Sequence, residues 1–121
     1  MSDVPRLPGS NVPLSEVKAE LFRALAHAPR VRILEVLTEG ERAVGELQPL
    51  IGIELSHLSQ QLGVLRRAGV VVTRREGTSV LYSLKDPLVA ELLAVAKRLL
   101  VTSLAETNEL LADLQSSLTT P

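Results

Sequence analysis

The chain has 121 residues and a formal net charge of −1, and it contains no cysteine, no tryptophan, one tyrosine and one phenylalanine. Hydrophobic residues make up 45% and charged residues 22% of the chain, which is typical of one small globular domain and excludes collagen-like, disulfide-stapled and mostly disordered proteins. The lack of cysteine also excludes a thiolate nucleophile and a thiolate metal site.

The N-terminal residues 1–13 are predicted to form a disordered arm. They contain three prolines, no apolar run and no pattern of a cleaved signal peptide. The most apolar stretch elsewhere, Leu92 to Val101, contains two basic residues and is far shorter than the ~20 residues that cross a bilayer. We therefore expect a cytoplasmic protein that has no membrane partner.

Two helices are predicted next. Ser15 can cap a first helix that extends to about His27, with apolar residues at helical spacing. Pro29 suits the first turn of a second helix, where its missing N–H group is not needed, and Gly40 follows the end of that helix.

The following segment predicts two more helices, joined by a tight turn. The third helix covers about Ala43 to Ile51, with Gly52 as its stop. In the fourth, leucines recur at i, i+3, i+7 and i+10 and are expected to face inward, and Gly69 lies at the C-terminal cap. These leucines are Leu55, Leu58, Leu62 and Leu65.

A two-stranded β-hairpin and a long helix complete the chain. Residues 70–73 and 79–84 are rich in β-forming side chains, and Glu76-Gly77 between them indicates a turn. Asp86 and Pro87 begin a helix to about Gln115, whose apolar residues cover more than one face and so require a packing partner. The expected domain covers residues 14–115, and residues 116–121 are expected to be a flexible tail.

The order of these elements is that of a helix-turn-helix followed by a wing, in which the second helix enters the major groove of DNA. The outward side chains of the fourth helix can all hydrogen-bond to base edges or phosphates. They are Ser56, His57, Ser59, Gln60 and Gln61. No charge occurs from Leu55 to Leu65, whereas a simple solvated helix usually carries Glu and Lys on its outer face.

Basic residues are concentrated in the same region. Residues 57–85 contain five basic side chains and one acidic side chain, although the whole chain is slightly acidic. Arg66 and Arg67 close the fourth helix, and Arg74 and Arg75 precede the hairpin turn, where they could contact phosphates on either side of the groove. The pattern predicts a DNA-binding protein.

The chain from about Ala24 to Leu84 resembles the ArsR family of bacterial winged-helix repressors. The matching segments are LAHAPRVRILEVL, AVGELQPLIG and LSHLSQQLGVLRRAGVVVTRREGTSVLYSL. The resemblance implies a mainly α winged helix-turn-helix of five helices and a two-stranded wing, which dimerises through its first and last helices. It also implies that the homodimer binds an inverted-repeat operator in double-stranded DNA and represses transcription until it senses an effector.

Site residues follow from the outward positions and from the resemblance. The DNA-binding set is Ser56, His57, Ser59, Gln60, Gln61, Arg66, Arg67, Arg74, Arg75, Gly77 and Thr78, with Arg30 and Arg32 as further candidates for backbone contacts. The dimer-interface set is Val17, Leu21, Leu92, Leu93, Ala96, Leu99, Leu100 and Leu104.

We expect no metal ion and no cofactor. The Cys-x-Cys metal site of the family aligns with Ala43 and Gly45, which cannot bind a metal. Of the family's second metal site only Asp86 remains, because the later positions fall near Leu88, Leu99 and Thr102. The two histidines are expected to cap a helix (His27) and to contact DNA (His57).

Two alternatives remain open at the level of the sequence. The basic face could dock an acidic protein partner instead of DNA, in which case the last helix would be the main binding surface. Within the DNA-binding reading, the effector could be an organic molecule or none. An enzyme is not expected, because no phosphate-binding loop, metalloprotease pair or nucleophile elbow occurs.

Overall fold

The computed structural model describes residues 4–119, and the side chains of residues 4–117. The elements in chain order are α1 (Leu14–Leu25), α2 (Ala28–Leu37), β1 (Arg42–Ala43), α3 (Val44–Ile51), α4 (Leu55–Arg67), β2 (Val71–Glu76), β3 (Ser79–Leu84) and α5 (Pro87–Thr119). The predicted succession of four helices, a hairpin and a long last helix is confirmed.

The ends of α1 differ from the prediction. Pro13, not Ser15, is the N-cap, and its extended backbone (φ −61°, ψ 137°) leads directly into the helix. The backbone N–H of Leu14 donates to the carbonyl of Pro5 at 2.7 Å, so the preceding loop sets where α1 begins. α1 ends at Leu25 because α2 already begins at Ala28, which makes His27 the extended N-cap of α2.

Residues 4–13 form a short turn beside the start of α1. Arg6 and Pro13 form an isolated antiparallel bridge, and the N–H of Leu7 donates to the carbonyl of Val12 at 3.0 Å. The expected disordered arm therefore contains local hydrogen bonds from residue 5 onward, whereas residues 1–3 lie outside the described part. The division into arm, domain and tail stays a prediction.

The core lies where α2, α3 and α4 meet the sheet. Its buried members are Ile33, Leu34, Leu37, Leu47, Ile51, Leu58, Leu62, Leu65, Val70 and Val71. Three of the four leucines predicted to face inward on α4 are fully buried, but Leu55 is 51% exposed. Residues 54–57 are all exposed, so the first turn of α4 projects beyond the core and leaves Leu55 in solvent.

The sheet has three strands in the order β1-β3-β2, one more than predicted. β1 pairs Arg42 with Tyr82 across forty residues, and a two-residue strand with such a distant partner has no period for sequence analysis to detect. Glu76 pairs with Ser79, so the turn is Gly77-Thr78 and not Glu76-Gly77. Gly77 has φ +61°, which a two-residue hairpin turn favours and a side chain disfavours.

Only the start of α5 packs on the rest of the chain. Val89 and Leu93 contact the core, but every side chain from residue 94 to residue 117 is exposed. The helix continues to Thr119, beyond the predicted end at Gln115, because no glycine or proline occurs in residues 116–119. None of the helices in residues 4–119 is long and apolar enough to cross a membrane.

Candidate nucleic-acid interface

Arg32, on α2, contacts the turn between α3 and α4. The Arg32 guanidinium donates to the carbonyls of Ile51 at 2.8 Å and of Leu50 at 3.0 Å. These are carbonyls of the last turn of α3, which have no partner within the helix. Arg32 therefore stabilises the helix-turn-helix itself, although the sequence made it a candidate for contacting DNA.

The outer face of α4 is polar and uncharged. Ser56, His57, Ser59 and Gln60 are exposed, as predicted from the leucine spacing. Ser56 and Gln60 are four residues apart and so lie on one side of the helix, next to Ser59. Gln61 differs, since it is half-buried and its Oε1 is buried without a hydrogen-bond partner in the described part of the chain. Four of the five predicted side chains are thus presented together.

The two arginines at the end of α4 are placed differently from each other. Arg66 is exposed. The Arg67 guanidinium lies back over Gly63, where a Cβ atom would be only 3.1 Å from Arg67 Nη1. A glycine inside a helix costs about 1 kcal/mol relative to alanine, and here it makes room for this side chain.

The two arginines of the wing point to opposite faces of β2, as neighbours in a strand do. Arg74 Nε donates to Glu41 Oε2 at 2.8 Å, and Arg74 Nη2 donates to Glu76 Oε2 at 3.0 Å. The hydrogen bond with Glu41 raises the pKa of Arg74 and lowers the pKa of Glu41. Two carboxylates thus compensate the charge of Arg74, although it is exposed, as are Arg75, Gly77 and Thr78 at the tip.

Replacing Glu41 with Gln is expected to increase affinity for any DNA duplex about two- to fivefold at low salt, because Arg74 then keeps only the exposed Glu76 as a carboxylate partner and its charge is more available to phosphates. The measurement is a fluorescence-anisotropy titration of a random duplex. Glu91→Gln is the matched control, since it removes one carboxylate from an exposed position of α5. An equal increase in duplex affinity in both variants would show that only net charge matters and that the ion pair with Glu41 does not limit phosphate binding by Arg74.

The described residues contain no group of three or more His, Cys, Asp or Glu side chains that could hold a metal ion. His27 is exposed at the start of α2, and His57 is exposed on the outer face of α4. Asp86 accepts a hydrogen bond from the N–H of Leu88 at 2.8 Å, so it serves the N-terminus of α5.

The predicted dimer-interface residues fall into two groups. Leu21 and Leu93 pack against the core, and Val17 and Leu92 are half-buried. The exposed members are Ala96, Leu99, Leu100 and Leu104. The predicted interface set did not include Phe22, the only phenylalanine, which is 56% exposed on α1. A large aromatic side chain next to the charged Arg23 is the sequence signal that would have made it an interface candidate. Further exposed apolar residues of α5 are Leu88, Val95, Val101, Leu110, Leu111 and Leu114.

Comparison with known proteins identifies similar sequences. Residues 28–73 match the family model described as "Bacterial regulatory protein, arsR family". An HTH-type transcriptional regulator of Mycobacterium tuberculosis, Rv0081, is 53% identical over 105 residues, which cover 86% of this chain and 92% of the relative. A biofilm growth-associated repressor of Agrobacterium fabrum is 42% identical over 93 residues, which cover 77% of this chain and 78% of the relative.

Solved structures agree with these matches. The crystal structure of Rv0081 has a TM-score of 0.74 and 55% identity, and the match covers 78% of this chain and 96% of that chain. The solution structure of the homodimeric winged helix-turn-helix DNA-binding domain of Mb0332 from Mycobacterium bovis has a TM-score of 0.66 and 36% identity. That match covers 71% of this chain and 80% of the other.

Proposed function

The chain belongs to the ArsR family of bacterial regulatory proteins, and from this premise we propose that it represses transcription by binding an inverted-repeat operator as a homodimer. The predicted class is confirmed: the protein is a DNA-binding transcriptional regulator with a winged helix-turn-helix, and not an enzyme. Repression and dimerisation are supported by the relatives, one of which is called a repressor and another homodimeric.

The observation that carries the proposal is the exposed, uncharged outer face of α4. Amide and hydroxyl side chains of moderate length match the donors and acceptors of base edges, and a glutamine can bind adenine through two hydrogen bonds. Ser56, Ser59 and Gln60 are therefore proposed to contact bases, and His57 to lie at the edge of this contact. Such contacts would provide sequence specificity.

Phosphate contacts are assigned to the cations that have no carboxylate partner in the described chain. Arg66 and Arg67 are exposed at the end of α4, Arg75 is exposed before the hairpin turn, and Gly77 and Thr78 form the wing tip. We propose that these five residues position the protein on the duplex. Arg74 and Gln61 are proposed to have supporting roles, because the first is ion-paired and the second is half-buried.

Dimerisation is supported by the unpacked part of α5. A helix that contacts nothing is marginally stable in water, and exposed apolar side chains in such a row favour burial against a second copy. We propose that Ala96, Leu99, Leu100 and Leu104 pack against the partner together with Phe22 of α1. Two-fold symmetry would then present two copies of α4 to successive major grooves. A regulator of promoter DNA in a bacterium would act in the cytoplasm.

The proposal is tested by selecting bound sequences from a random DNA pool with metal-free protein. The expected result is an inverted repeat whose half-sites are about 10–10.5 base pairs apart, since that is one helical turn of DNA. Binding without any enriched sequence, and with a steep salt dependence, would contradict the proposal. It would favour a protein partner for the basic face instead.

Substitutions on the two parts of the interface are expected to act differently. Ser59→Ala and Gln60→Ala should each weaken operator binding by about 1–3 kcal/mol and leave random duplex unaffected, because they remove base contacts. Arg75→Ala should weaken both duplexes alike and reduce the slope of the salt dependence by about one. Titrations of both duplexes at several salt concentrations provide the measurement. An equal loss on operator and random DNA for all three variants would refute these roles.

A further inference from the structure

A cavity of about 700 Å³, open to solvent on one side, lies between α1, α2 and the C-terminal half of α4. Its apolar wall consists of Val17, Leu21, Ala24, Val64 and Ala68, and its polar wall consists of Glu20, Arg23, Arg30 and Arg67. The volume falls within the range of about 300–1,000 Å³ that is usual for small-molecule sites. Its lining combines apolar surface with three cations and one carboxylate.

Arg30 lines this cavity, and no interaction within the described chain accounts for its burial. It is only 8% exposed, and its Nε is buried without a hydrogen-bond partner. No carboxylate of residues 4–117 forms an ion pair with Arg30. A buried N–H donor without a partner is costly, because it has lost its hydrogen bond to water and gained none in return, and no carboxylate beside it compensates the positive charge of the guanidinium.

A second cation without a carboxylate partner, Arg67, lines the same cavity. Gly63 allows its guanidinium to lie close to the α4 backbone, since a Cβ there would meet Arg67 Nη1 at 3.1 Å. Arg23 forms an ion pair with Glu20, so these two side chains compensate each other. The cavity therefore keeps two uncompensated positive charges, from Arg30 and Arg67.

We propose that this cavity binds a small organic anion, whose carboxylate is held by Arg30 and Arg67 and whose apolar part contacts Leu21, Ala24 and Val64. Planar guanidinium groups bind carboxylates through paired, charge-assisted hydrogen bonds. A phosphate of duplex DNA is a poor candidate for this position, because Arg30 is buried and is reached through the cavity. The ligand must be small enough to enter it.

Occupancy is expected to weaken DNA binding, an effect that rests on the proposed function. Arg67 and Val64 belong to α4, the helix proposed to contact bases, and Leu21 belongs to α1. An anion would neutralise Arg67 at one end of α4 and reduce the attraction to phosphates. Binding of a cellular organic acid in the cavity would then promote release of the operator.

The site is tested first on the full chain in the absence of DNA, by calorimetric titration with sodium hexanoate and sodium acetate. Hexanoate is expected to bind with a Kd of about 1 mM or lower, and acetate at least tenfold more weakly, because acetate lacks the apolar part. Arg67→Gln should weaken hexanoate binding at least tenfold. Arg66→Gln is the matched control and should leave hexanoate binding unchanged, because Arg66 does not line the cavity.

Three results would overturn the site: no hexanoate binding up to about 10 mM, equal binding of both acids, or equal weakening by the two arginine variants. Arg30→Lys provides a second test, with its folding checked by circular dichroism, and should also weaken hexanoate binding. Because Arg67→Gln changes a side chain near the surface, the test does not depend on whether the Arg30 variant folds.

The effect on DNA is then measured on the selected operator with saturating hexanoate and with an equal concentration of chloride. A several-fold lower affinity in hexanoate is expected. Unchanged affinity while hexanoate is bound would refute the regulatory effect and leave the site intact. Failure to bind any operator in chloride would instead contradict the proposed function.

Discussion

Leu100→Glu is expected to dissociate the dimer and to weaken operator binding by about 10²–10⁴-fold, the range by which linking two binding modules exceeds a single one. Leu100 is 64% exposed in the isolated chain and lies one turn from Ala96 and from Leu104. A carboxylate there would be buried opposite its own symmetry copy, where two like charges without partners oppose association.

The variant should still fold, because no side chain of α5 from residue 94 to residue 117 is buried against the rest of the chain. Sedimentation equilibrium measures the oligomeric state, and circular dichroism measures helix content. Ala105→Glu is the control, since Ala105 lies on the side of α5 that carries Arg98 and Glu109 and should keep the dimer. A dimeric Leu100→Glu with full operator affinity would place the interface elsewhere.

Leu62→Ala is expected to lower the free energy of unfolding by about 2–5 kcal/mol, the usual cost of truncating a fully buried leucine. Leu62 is 0% exposed and belongs to the face of α4 that packs into the core. Since small domains are stable by only about 5–15 kcal/mol, this loss should also reduce the fraction of folded, DNA-binding protein at physiological temperature.

Leu55→Ala is the matched control on the same helix. Leu55 is 51% exposed, so its truncation should change stability by no more than about 0.5 kcal/mol. Urea unfolding at one fixed protein concentration measures both variants, because dimerisation makes apparent stability depend on concentration. If the two truncations lower the free energy of unfolding equally, Leu55 must be buried in the folded protein, and the first turn of α4 is not exposed to solvent.

The helix-turn-helix could be predicted because its signals are local. The leucine period of α4 and the glycines after α3 and α4 depend on residues within a few turns, and all describe the same two helices. Leu55 was assigned to the core incorrectly, since a period continues to the end of a helix whether or not the core extends that far.

The arginines show where local signals fail. In the sequence, Arg30, Arg32, Arg67 and Arg74 are all candidates for phosphate contacts. In the structure, Arg32 binds carbonyls of α3 and Arg74 pairs with Glu41, which lies 33 residues away. Arg30 is buried beside the cavity. A guanidinium acts according to the groups that surround it, and those groups come from other elements.

The family, the order of the helices, the hairpin and the uncharged outer face of α4 could all be read from the amino-acid sequence, because each rests on short-range periodicity or on a contiguous motif. The third strand, the ion pair of Arg74, the burial of Arg30 and the cavity between α1 and α4 became visible only in the folded chain. These features join residues far apart in the chain, and their energies depend on distance and burial, which exist only after the chain has folded.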